Sequence, residues 1–130
     1  MNRSVAPLAA ILDLNTDLLL NCLDGLTDEE VRHRLAGGGN SLAFLIAHLT
    51  DTRHFLSSRL KHPLPNPLTP ALTEEELSES TVHRFPMDDS TRLGMIAFLT
   101  QHDSYHVGQA AFLRRQIGRP AMTYTRTAKV

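Results

Sequence analysis

Apolar side chains recur at helical spacing in three long stretches of this chain, and no stretch of useful length alternates as a strand would. In the first, Leu8, Ile11, Leu12, Asn15, Leu18, Leu19 and Cys22 follow an i, i+3, i+4, i+7 pattern. This predicts an amphipathic helix over residues 7–23. Pro7 suits its first turn, and Asp24-Gly25 ends it. Thr27 followed by Glu30 is a capping box, which predicts a short helix over residues 28–35. Gly37, Gly38 and Gly39 then stop that helix and form a flexible connection. No strand precedes these glycines and no Lys-Ser/Thr follows at P-loop spacing, so they read as a loop and not as a phosphate cradle. With Asn40 or Ser41 as cap, residues 42–61 form the second long helix. Pro63, Pro65, Pro67 and Pro70 forbid a regular helix over residues 62–70. Thr73 and Glu76 form a second capping box, opening a short helix to about Thr81. The piece through Pro86 reads as a loop or an extended surface segment. The third long helix starts from a cap at Asp88, Asp89 or Ser90 and runs to Ile117, where Gly118 and Pro120 close it. The expected fold is all-α, with one domain over residues 1–118 and a loosely ordered tail over residues 119–130.

Histidines interrupt two of the three apolar stripes. At about 100° per residue, Phe44, Leu45, Thr52, Phe55 and Leu56 fall within roughly 80° of His48, while His54 lies about 120° away. His48 thus belongs to the apolar face, and His54 to the solvent face. In the last helix, His102 and His106 are four residues apart, so one stands above the other. Met95, Leu99, Leu113, Ile117, Phe98 and Gln109 all lie within about 60° of His102. Asp103, Arg114 and Arg115 fall off that stripe. Buried polar groups cost free energy unless they are satisfied, and a metal ion or a hydrogen-bond network would satisfy these. A lone His-x-x-x-His pair is common by chance. The interior placement of both members, together with an interior His48, points to a three-imidazole metal site with an open position for water or substrate. Zinc or nickel suits such ligands.

Three nearby residues are candidate outer partners, each with a plainer alternative. Gln109 would orient a histidine or a bound water, or is a satisfied core amide. Asp51, on the flank of the His48 face, is a candidate acceptor or a solvated carboxylate. Tyr105, about 60° from His102, is a proton donor or a packing residue at the bundle edge. His33, His54, His62 and His83 read as surface residues. Gly108 permits a close helix approach or is merely tolerated. No acid/base dyad or Ser-His-Asp set names a reaction, so no catalytic residue is assigned.

Composition narrows the class of protein further. The 130 residues carry a formal net charge of −1, so no basic surplus points to nucleic acid. Hydrophobic residues make up 42% and charged residues 21%, as in an ordinary folded domain and unlike a disordered chain. The longest apolar run, residues 42–49, is broken by His48 and too short to cross a bilayer. The first residues show no signal-peptide core, so a cytoplasmic protein without a membrane partner is expected. Cys22 is the sole cysteine, which excludes an intrachain disulfide and a Cys-rich zinc site. It reads as a small apolar core residue.

Two stretches carry a resemblance. Residues 40–51 read Asn-Ser-Leu-Ala-Phe-Leu-Ile-Ala-His-Leu-Thr-Asp, and residues 102–109 read His-Asp-Ser-Tyr-His-Val-Gly-Gln, followed by Leu113 and Gly118. Together they resemble the DinB/YfiT-like family of metal-binding helical bundles. The resemblance implies an up-down-down-up bundle holding a divalent metal on His48, His102 and His106. It also implies, for some relatives, transferase or isomerase chemistry on a low-molecular-weight thiol such as bacillithiol or mycothiol. The alternative is a non-catalytic, metal-stabilised bundle or a stress-associated interaction protein. The chain departs from the family where the proline-rich connector and a short piece replace the third long helix. A second copy covering that side, in a homodimer, is the expected consequence.

Overall fold

The structure, a computed structural model, describes residues 2–61 and 72–125. The proline-rich connector with His62, and the end of the tail from residue 126, lie outside the described residues. The described residues form five helices: α1 (Ala6–Leu23), α2 (Asp28–Arg32), α3 (Leu42–Leu60), α4 (Glu74–Ser78) and α5 (Arg92–Gln116). No strand occurs among the described residues, and the all-α expectation holds. α5 is the central element. It makes its largest contact with α1 and its next with α3; α2 packs on α3, and α4 on α5.

Local chemistry sets most boundaries. Thr27 and Thr73 each accept a hydrogen bond from the backbone N–H three residues on, and Glu30 and Glu76 reach back to complete both capping boxes. Ser41 caps α3 by accepting from Phe44 N at 3.2 Å. α2 and α4 stop sooner than the sequence suggests, at Arg32 and Ser78. α2 buries no residue and α4 only Leu77, so little tertiary packing extends them. The cap of α5 is Thr91, and not Asp88, Asp89 or Ser90 as expected. Thr91 Oγ1 accepts from Gly94 N, while Asp89 Oδ1 accepts from both the N–H and the hydroxyl of Thr91 at 2.9 and 2.6 Å. Asp89 therefore holds the cap instead of being it. Between α4 and α5 the chain doubles back through a single antiparallel bridge, Ser80 to Thr91.

The core is mostly leucine. Leu12, Leu56, Leu77, Met95 and Ile96 fill one end and Cys22, Leu42, Leu45 and Ala110 the other, with Leu18, Leu49 and Val107 between. Burial pushes the Cys22 thiol up to about 11, against a smaller opposing pull from Arg114. Such a thiol is inert at neutral pH. α1 is long and apolar enough, with a mean hydropathy of 1.3, to pass for a membrane span by composition. Its inward face nevertheless carries Asn15, Asp17 and Asn21, and it packs along α5 as a core helix. The tail expectation needs correction for residues 119–125. Asn21 Nδ2 donates to the carbonyls of Thr123 and Thr125, and Arg119 forms a bidentate ion pair with Glu30. These contacts dock the segment on α1 and α2.

The two glycines inside α5 make opposite demands. A Cβ on Gly94 would run into the Asp89 carbonyl oxygen and lie 2.7 Å from its Cγ, whereas one on Gly108 would meet nothing within 4 Å. Gly108 is therefore tolerated and serves no close approach. Gly94→Ala is expected to destabilise by about 1–3 kcal/mol, because the capping loop must move. Gly108→Ala is expected to stabilise by about 0.5–1 kcal/mol through helix propensity. Urea denaturation of the two variants checks the signs; a stable Gly94→Ala protein would mean that the capping loop yields freely.

Candidate metal centre

α3 and α5 bring His48, His102 and His106 together. His48 sits on α3 between the buried Leu45 and Leu49, and Phe44 stacks on its ring at 5.8 Å between centroids. One turn apart on α5, His102 is half-buried and His106 only 9% exposed. The three rings are steeply inclined to one another, with interplanar angles of 66°, 80° and 85°. Their Nε2 atoms point at one place. His102 Nε2 lies 3.2 Å from His48 Nε2 and 3.1 Å from His106 Nε2. One ligand atom from each histidine falls within 4.8 Å of the others.

Gln109 Oε1 lies 2.6 Å from His106 Nδ1. A carbonyl oxygen only accepts, so His106 Nδ1 carries the proton and its Nε2 offers a lone pair to the centre. His102 has a buried Nδ1 with no hydrogen-bond partner among the described residues. If that nitrogen carries the proton, a buried N–H is wasted and two lone pairs face each other at 3.1 Å. If it does not, a buried acceptor is bare. Three neutral imidazoles thus cannot satisfy one another, whereas a cation accepting three lone pairs would satisfy the Nε2 side. Tetrahedral bonds of about 2.0–2.1 Å to zinc would set ligand nitrogens roughly 3.4 Å apart, close to the observed contacts. Desolvation, then the neighbouring His106 and His48, hold the His102 imidazole below its usual range, against a smaller upward pull from Asp103. The neutral, ligating form is favoured at neutral pH. The donor set fits a divalent ion.

The other candidates are placed differently. Gln109 holds His106 directly. Tyr105 packs its ring against His106 at 5.2 Å but is 57% exposed, at the rim of the site. Asp51 is exposed and makes no hydrogen bond to the three histidines. His33 and His54 are exposed, as read from the sequence. His83 is not a plain surface residue: its ring packs on Phe55 at 5.0 Å, and its Nε2 is buried without a partner. The carboxylate missed by sequence reasoning is Asp103, fully buried beside His102 and paired to Arg53 through bonds of 2.8 and 3.0 Å. The sequence hint was an arginine and an aspartate near the middles of the same two helices that carry the histidines.

A family model described as the DinB superfamily matches residues 11–80, more than half of the chain. The matched span includes His48 and ends before α5. No curated protein and no solved structure matches.

Proposed function

The chain belongs to the DinB superfamily, and from that premise we propose that it is a divalent-metal protein with His48, His102 and His106 as ligands. The observation that carries this reading is the convergence of three Nε2 atoms from two helices, with one of the rings left unsatisfied on its far side. Zinc or nickel matches the donors. Three protein nitrogens leave room for an exogenous ligand. The finer reading is a metal-dependent S-transferase acting on a low-molecular-weight thiol of the bacillithiol or mycothiol kind. A bound metal would supply charge that lowers a thiol's pKa and so favours the nucleophilic thiolate. The chain's own residues define the surroundings: Gln109 keeps His106 in the tautomer that presents Nε2, and the rings of Phe44 and Tyr105 pack against His48 and His106.

A second reading, a metal-stabilised bundle without catalysis, draws on another observation. Neither nearby carboxylate is engaged with the site: among the described residues Asp51 makes no hydrogen bond to the histidines, and Asp103 is paired with Arg53. Cobalt substitution separates the two. Titration of the Co(II) protein with cysteinyl-glucosamine thiols is expected to raise a sulfur-to-cobalt charge-transfer band, with glutathione as comparison. A Co(II) spectrum indifferent to every thiol would leave the non-catalytic reading. In either case a homodimer is part of the proposal, because the five-residue α4 stands where a bundle would have a long third helix.

A further inference from the structure

Where Gln109, Phe112 and Leu113 face the loop before α3, α5 borders a cleft of about 280 Å³. Leu35, Leu45, Phe112 and Leu113 form its apolar walls. Gly38 and Gly39 form another side, with φ of 84° and 102°. In that left-handed conformation side chains are disfavoured, which suits glycine. Among the described residues, the cleft's side-chain polar groups are two amides, Asn40 and Gln109, and no charged side chain lines it. Gln109 is also the residue whose Oε1 accepts from His106 Nδ1. One side chain therefore forms a wall of the cleft and holds a histidine of the centre.

We propose that this cleft binds a small, uncharged, largely apolar molecule, and that Gln109 transmits its occupancy to His106. The size excludes a peptide helix and suits a molecule of one or two rings. The walls supply apolar contact, and the two amides supply a donor and an acceptor for one polar group on the ligand. A carboxylate or phosphate would find no counter-charge there and would lose its hydration. Gln109 acts as a positioning residue. A ligand that hydrogen-bonds its amide turns or steadies the carbonyl that fixes the His106 ring. The consequence at the metal rests on the proposed function; occupancy of the cleft does not.

The test uses 2-naphthol as probe and 2-naphthoate as its charged counterpart, on the full chain, first metal-free and then zinc-loaded. Calorimetry is expected to show one 2-naphthol per chain, with naphthoate at least about tenfold weaker. Nuclear magnetic resonance is expected to show shifts in the Gln109 side-chain amide and the His106 ring. Phe112 is 56% exposed, so Phe112→Ser should fold normally and weaken naphthol by about tenfold through lost apolar contact. Gln109→Leu should still bind naphthol but abolish the His106 shift. Equal affinity for naphthoate, or undiminished binding to Phe112→Ser, would overturn the site. A His106 shift that persists in Gln109→Leu would overturn the coupling, because it would mark a direct ring-current effect. A chain that binds naphthol yet takes up no zinc would overturn the metal reading and leave the cleft standing.

Discussion

Alanine in place of His48, His102 or His106 is expected to leave a folded protein that no longer holds a divalent ion. Each imidazole supplies one of the three nitrogens that converge among the described residues, so losing one leaves a two-coordinate remnant. Loss of a partner outside the ligand set typically weakens a metal site by about 10–100-fold. Loss of a ligand should exceed that. The stability readout is separate from any activity. At free metal about 100 times Kd, binding to the native state alone adds about 2.7 kcal/mol. For a domain of this size that raises Tm by roughly 10 °C. Wild type should show this rise with Zn(II) or Ni(II), and lose it with chelator. The three variants should show none. The metal-free His102→Ala protein should lose little stability, because the change also removes a buried, unpartnered Nδ1. Elemental analysis gives the direct check. A variant that keeps wild-type stoichiometry would remove its residue from the ligand set, and a wild type that stays metal-free after reconstitution would end the metal reading.

The largest loss of stability from a single substitution is expected at Asp103. Its side chain is 1% exposed, and that of its partner Arg53 is 13% exposed. Arg53 Nε and Nη2 donate to the two carboxylate oxygens, while Nη1 and Nη2 also donate to Thr16 Oγ1 and the Leu12 carbonyl at 2.6 and 3.0 Å. One guanidinium on α3 therefore ties α5 to α1. Asp103→Ala would strand that cation in the interior. Breaking a buried pair from one side costs about 3–5 kcal/mol, a large part of the roughly 5–15 kcal/mol that holds a domain together. Replacing both partners with apolar residues, as in Arg53→Met with Asp103→Leu, should cost less than Asp103→Ala alone, because no charge is left buried. Denaturant titrations of the single and double variants read this directly. A loss below about 1 kcal/mol in Asp103→Ala would place the pair among surface ion pairs.

Asp103 also shows where reading a helix from its sequence stops. Periodicity assumes one buried face, and the wheel put Asp103 and Arg114 outside it. α5 lies between α1 and α3, so more than one of its faces is covered. Arg114 is buried with its guanidinium donating to the carbonyls of Cys22, Asp24 and Pro120, at the end of α1 and the start of the tail. That contact, with Asn21 and Arg119, is why residues 119–125 dock although they have no periodicity of their own. His83 was misread for a related reason: Phe55, whose ring packs on it at 5.0 Å, comes from α3, beyond the reach of local sequence. The cap of α5 was missed by one residue because Asp89 and Thr91 both suit a cap, and the hydrogen bonds between them decide which serves.

The sequence alone determined the three long helices, the two capping boxes and the apolar faces that carry His48, His102 and His106. Those features depend on neighbours within a turn or two, where spacing and side-chain chemistry suffice. Tertiary structure alone decided that three Nε2 atoms meet, that His102 keeps an unpartnered nitrogen, and that Gln109 faces both His106 and a cleft. It also decided that Arg53 and Asp103 are a buried pair and not two solvated charges. Apart from the His106–Gln109 contact, which spans one turn of α5, each of these depends on how α1, α3 and α5 pack across about 50 to 100 residues of sequence. No local pattern encodes such distances, because the same helical faces are compatible with more than one packing of the bundle.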